Sequence, residues 1–172
     1  MSPELERIRG YLQTQAAKLS VPELVEKVRS DMEQVRAALE SVPSGRLGER
    51  PAQGEWSANE VAAHLLAWGE GVGAGIRRVL DGGGAPGVIP DQILPTDAAQ
   101  TATEWWEQLK VQREALLGRV ARASGDESPE IRWGHPMFGD LTWREWVLFL
   151  RIHDVDHTRQ IAGIVEALPA RA

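Results

Sequence analysis

His153 and His157 stand four residues apart in the most strongly patterned helical stretch of the chain, on the face that carries its apolar residues. Residues four apart on a helix are neighbours, so two imidazoles can reach one metal ion at about 2.0–2.1 Å each. His64, on the apolar stripe of a second helical stretch far upstream, supplies a third ligand. Three imidazoles with one position left open form a donor set suited to catalytic zinc, since the vacant site can polarise or deprotonate a bound group. Three neutral rings buried without partners would each cost about 1–3 kcal/mol, and one shared cation satisfies all of them.

Nearby residues refine the picture. Asp154 and Asp156 are expected either to orient the imidazoles from behind or to stand in solvent, because a metal-bound histidine donates its other N–H to a carboxylate, carbonyl or water. Gln160, four residues after Asp156, can join that network. The run His153-Asp154-Val155-Asp156-His157 invites comparison with the His-Glu-x-x-His helix of zinc proteases. The shorter aspartate, and the want of a downstream ligand and an edge strand, set that reading aside. His135 precedes Pro136 and is read as a loop residue at a pocket mouth. Trp68, one turn from His64, is a candidate pocket wall, and Gly71 and Gly75 on the same face would leave space for a substrate. The bland reading of those glycines is close packing or a helix end, since each costs a helix interior about 1 kcal/mol relative to alanine.

The elements that must position these groups are helices. Ser20…Glu23, Ser57…Glu60 and Thr142…Glu145 are capping boxes, each followed by a 3.6-residue apolar period. The stripes run Leu24, Val28, Met32, Val35, Leu39, Val42; then Val61, His64, Leu65, Trp68, Val72, Ile76, Val79; and last Trp146, Phe149, Leu150, His153, His157, Ile161, Ile164, Leu168, ending before Pro169. A further helix is expected from about Asp97 to Val120, and a weaker one over residues 3–19. Strand-like alternation is missing. Loops rich in turn residues run from Asp81 to Pro95 and from Ser124 to Asp140. Four principal helices with long crossover loops predict an all-α, antiparallel four-helix bundle with an additional N-terminal helix, a fold that builds metal sites from inward side chains.

Composition bounds function. The 172 residues are 42% apolar and 26% charged, as expected of one globular domain spanning 1–172. There is no cysteine, which excludes disulfides, thiolate metal sites and a catalytic thiol. The formal charge of −6 is the wrong sign for a phosphate backbone, so no nucleic-acid partner is expected. No apolar run reaches the roughly 18 residues of a membrane span, and the charged start is not signal-like, so no membrane association and a cytoplasmic location are expected.

Three separated motifs carry a family resemblance: Glu55-Trp56-Ser57 through Glu60-Val61-Ala62-Ala63-His64-Leu65; His135-Pro136-Met137-Phe138-Gly139 leading into Leu141-Thr142; and His153-x-x-x-His157-x-x-Gln160. In this order and spacing, residues 22–168 resemble the DinB / YfiT-like family of metalloenzymes. The resemblance implies a four-helix bundle, often a homodimer, with His64, His153 and His157 binding a divalent metal. Zinc or nickel leads, with iron and manganese as alternatives, because three imidazoles accept several first-row ions. It further implies thiol-dependent S-transfer to small electrophiles in stress or detoxification, with bacillithiol or mycothiol as the type of thiol. The bound cation would lower the thiol pKa, and Arg159 would assist an anionic thiol if it faced inward. Metal-dependent hydrolysis with Asp154 or Asp156 as base is the alternative, and a non-catalytic metal-binding stress protein is a third. The chain departs from many relatives at Asp156, where they carry a further histidine, and at Thr158-Arg159-Gln160, where Arg-Gly-Gln is common. Arg159 stands where the related sulfoxide synthases have glutamate, which separates the chain from that branch.

Overall fold

The computed structural model describes residues 2–87 and 100–169. They form five helices and one hairpin: α1 (Pro3–Lys18), α2 (Val21–Ser41), α3 (Ala58–Leu80), α4 (Ala102–Val120), β1 (Trp133–His135), β2 (Gly139–Leu141) and α5 (Trp143–Ala167). The all-α bundle with an added N-terminal helix is as expected. Each expected capping box makes both of its reciprocal hydrogen bonds, at Ser20/Glu23, Ser57/Glu60 and Thr142/Glu145. A fourth box, Thr101/Glu104, opens α4 at Ala102, later than the expected Asp97. Residues 97–99, and residues 88–95 of the expected Asp81–Pro95 loop, lie outside the described residues.

The expectation of no strand fails at the hairpin, where Trp133 pairs with Leu141 and His135 with Gly139 in an antiparallel ladder. Three-residue strands are too short to show alternation. The turn is instead held from within, since His135 Nδ1 accepts from the backbone N–H groups of Met137 and Phe138 at 3.1 and 3.3 Å. Gly139 takes φ +71°, a conformation that side chains disfavour.

Contacts between helices fix their directions. Arg29 and Arg36 of α2 face Glu114 and Glu107 of α4, and His64 and Trp68 of α3 face His157 and Phe149 of α5, so both pairs are antiparallel. Asn59, Leu66 and Leu80 of α3 meet Trp105, Gln112 and Arg119 of α4 in rising order, so those two helices are parallel. Arg151 of α5 meets Asp31 in the middle of α2, while Arg144 near the start of α5 meets Leu19 just before α2 and Pro169 just past α5 meets Arg46 just past α2, so α2 and α5 are parallel. The bundle thus runs up-down-down-up, with α3 ending and α4 beginning at its opposite ends. Helix α1 packs on α5.

The apolar core forms two clusters, one around Trp68, Trp146 and Phe149 and one around Leu39, Leu65, Trp105 and Ile161. His64 on α3 and His153 and His157 on α5 sit between them, touched by Trp68 from the first cluster and by Trp56 at the edge of the second.

Helix α3 runs unbroken through Gly69–Gly75 to Leu80, so the glycines do not end it. Gly75 is a point of close packing, where a Cβ would lie 3.1 Å from Pro86 Cγ and 3.6 Å from Trp133. At Gly69 a Cβ would overlap the Arg113 guanidinium. Gly69→Ala is therefore expected to destabilise the protein by about 1–3 kcal/mol through overpacking. Gly163→Ala, at an exposed helical position near the end of α5 with nothing within 4 Å, is expected to stabilise it by about 0.5–1 kcal/mol. Urea unfolding of the two variants checks both signs.

Candidate metal centre

Helices α3 and α5 bring His64, His153 and His157 to one point. His64 Nε2 is 3.0 Å and His157 Nε2 3.2 Å from His153 Nε2, and the three ligand atoms all lie within 4.8 Å of one another. Metal–nitrogen bonds of about 2.0–2.1 Å at tetrahedral angles place ligand nitrogens about 3.3 Å apart, close to both separations measured from His153 Nε2. His64 is buried and the other two are half-buried, His153 with 13% of its side chain exposed.

The groups behind the rings set which nitrogen carries the proton. His157 Nδ1 lies 2.7 Å from Gln160 Oε1, a carbonyl oxygen that only accepts, so the His157 proton belongs on Nδ1 and its Nε2 is a lone pair. His153 Nδ1 lies 3.9 Å from Asp154 Oδ1, a contact too long for a hydrogen bond but one that favours a proton on that nitrogen. Lone pairs of His153 and His157 then face each other across 3.2 Å, an arrangement that a shared cation relieves. The residues present therefore fit a divalent ion. Burial, with smaller contributions from His157 and His64 against the opposing pull of Asp154, lowers the His153 pKa to about 4, so its ring is a neutral donor at pH 7.

Asp154, expected to orient the imidazoles from behind or to stand in solvent, is buried. Its carboxylate receives Arg113 Nε at 2.9 Å and Nη2 at 2.9 Å, with both side chains almost fully enclosed. Burial alone would raise its pKa, but the Arg113 charge, aided by His153, overrides that and lowers it to about 2. Arg113 also donates to the Leu65 carbonyl at 3.2 Å and to Gln112. Sequence reasoning missed Arg113 and Gly69, the residue that makes room for it. The available signal was an arginine on the inward stripe of α4, between Leu109 and Leu116.

The other candidates separate. The Trp68 ring stacks on His153 at 3.9 Å and 19°. Asp156 and Arg159 lie 3.9 Å apart and are each 77% exposed. Gly71 is exposed and Gly75 packs against Pro86 and Trp133, so neither borders the three rings. His135, expected at a pocket mouth, is buried in the hairpin against Phe138, Trp146 and Phe149 and is not part of the cluster.

Residues 24–161 match the family model of the DinB superfamily. The chain belongs to the DinB superfamily. Two solved structures share the DinB-like fold. The four-helix bundle protein TT2238 is 19% identical with a TM-score of 0.63, over 84% of this chain and 99% of that one. The colibactin self-resistance protein ClbS, in complex with a dsDNA, is 18% identical with a TM-score of 0.58, over 87% of this chain and 98% of that one. No curated protein sequence matches the chain. The ClbS complex overturns the expectation, drawn from net charge, that nucleic acid is excluded as a partner. A charge of −6 is a sum over the whole surface, whereas a phosphate backbone responds to charges within about one Debye length, roughly 8–10 Å. Among the described residues no helix is long and apolar enough to cross a membrane.

Two outcomes follow for this DinB-superfamily protein. Wild-type protein reconstituted without a His tag is expected to hold about one divalent ion per chain by elemental analysis, His64→Ala and His153→Ala none, and Gln160→Ala one ion bound about 10–100-fold more weakly. Arg113→Met is expected to cost about 3–5 kcal/mol by leaving Asp154 buried without its partner. Arg113→Met/Asp154→Leu should recover most of that loss in chemical denaturation.

Proposed function

We propose that this protein is a cytoplasmic, metal-dependent S-transferase that joins a low-molecular-weight thiol of the bacillithiol or mycothiol type to a small electrophile. The observation that carries the reading is the convergence of one ring nitrogen from each of three histidines within 4.8 Å, on a face bordered by aromatic rings. A divalent cation held there, zinc or nickel foremost, would favour the thiolate form of a bound thiol over the thiol. The chain itself contributes no cysteine, so the sulfur must come from a co-substrate. Gln160 keeps His157 in the tautomer that presents Nε2, the charge of Asp154 favours the same tautomer of His153, and the stacked Trp68 ring holds His153 against rotation.

Hydrolysis is the weaker reading, because it needs a carboxylate to serve as base. Asp154 is committed to Arg113 by two hydrogen bonds, and Asp156 stands in solvent beside Arg159. The self-resistance role of ClbS, a protein of this fold, agrees with a detoxifying role in which toxic small molecules are removed.

Assayed with a thiol and a chromogenic halide, the loaded protein is expected to form the thioether, with loss of halide and a proton, only when both thiol and metal are present. His153→Ala should abolish product formation. Turnover of ester substrates without thiol would establish hydrolysis instead, and no turnover with either substrate would leave a metal-binding protein without catalysis.

A further inference from the structure

A cleft of about 780 Å3 lies between α1, the hairpin turn and α5, within the roughly 300–1,000 Å3 usual for small-molecule sites. Phe149 and His153 line it from α5, Leu5 and Ile8 from α1, and Phe138 and Met137 from the hairpin turn. Glu4, Arg151, Asp156 and Arg159 bring two acids and two bases to its lining, each within ion-pair range of an opposite charge. Arg151 is paired with Asp31 and donates to the Tyr11 hydroxyl at 3.2 Å, while Asp156 and Arg159 stay 77% exposed. Met137, 42% exposed, is one of only two large apolar side chains that the described residues leave open to water. A flexible, polarisable methionine suits contact with ligands of varied shape.

Other cavities lack these features. The groove on the α3–α4 face, lined by Leu66, Val111 and Ala115, is shallower and includes none of the three histidines. The cavity beside Ser20 and Arg144 presents a guanidinium already committed to the carbonyls of Ala16, Leu19 and Gly125.

We infer that the α1–α5 cleft is a binding site for a largely apolar, ring-sized small molecule, held between Ile8 and Met137 with one end at His153. In the transferase reading this molecule is the electrophile, and only its fate at His153 rests on that reading. Occupancy of the cleft does not. Charge-balanced walls that carry Leu5, Ile8, Met137, Phe138 and Phe149 select a neutral, largely apolar body, and contact with His153 places one end of it beside the three converging nitrogens.

The test titrates metal-free and metal-loaded protein with the neutral fluorescent probe N-phenyl-1-naphthylamine. Saturable binding of one probe per chain is expected in both forms. Ile8→Trp, which fills the cleft, should weaken it at least tenfold, and Met137→Glu should weaken it severalfold. Val111→Glu, in the α3–α4 groove, should leave it unchanged. If Ile8→Trp does not fold, Met137→Glu decides, because that side chain is exposed. Absence of saturable binding, or binding insensitive to the cleft variants, overturns the inference. Probe binding as expected without thioether formation would leave the cleft standing and remove the transferase reading; thioether formation with probe binding lost only in Val111→Glu would do the reverse.

Discussion

Everything around the three histidines is arranged about one buried ion pair, Arg113 with Asp154. A carboxylate and a guanidinium removed from water each lose hydration worth several kcal/mol, and only close, fully hydrogen-bonded geometry offsets that loss. Here both carboxylate oxygens are engaged at 2.9 Å, and a further guanidinium N–H reaches the Leu65 carbonyl. This requires α4 to approach α3 closely, which the missing side chain of Gly69 permits. It also fixes the rotation of α5, because Asp154 can face α4 only while its neighbour His153 faces α3. A buried pair is a poor source of stability but a demanding source of geometry, and the geometry it imposes is that of the imidazole cluster.

Aromatic packing completes what the ion pair starts. Trp68 lies flat on His153, Phe149 meets the Trp68 edge at 70°, and Trp146 stacks on Trp133 of the hairpin at 8°. The hairpin therefore communicates with the histidines through rings, and His135 serves it by holding the turn backbone. These contacts leave little rotational freedom near His153, the condition under which ligand atoms can be placed to a fraction of an ångström.

Much of this was legible in the residues. Capping boxes and stripes gave the helices that begin at Ser20, Ser57 and Thr142, and His64, His153 and His157 shared inward faces. Periodicity tells which face of a helix is buried and is silent about which helix covers it. Asp154 lies about 100° around α5 from His153, so it reads as marginal until α4 is known to stand there with Arg113. Helix directions were hidden for the same reason, since a stripe reads identically in a parallel or an antiparallel neighbour. The role of His135 was hidden by its short range: a ring accepting from N–H groups two and three residues away leaves no periodic trace.

The up-down-down-up connectivity joins residues far apart along the chain. His64 and His153 are 89 residues apart. A cation shared by their helices would act as a reversible cross-link across the loop between them, and an ion at a hundred times its dissociation constant would add about 2.7 kcal/mol to folding stability. Folding stability and cellular metal supply would thereby become one coupled quantity. Chains made when the metal is scarce would sample the unfolded state more often and be degraded sooner, so the amount of protein would follow the supply of its ion without any dedicated regulator.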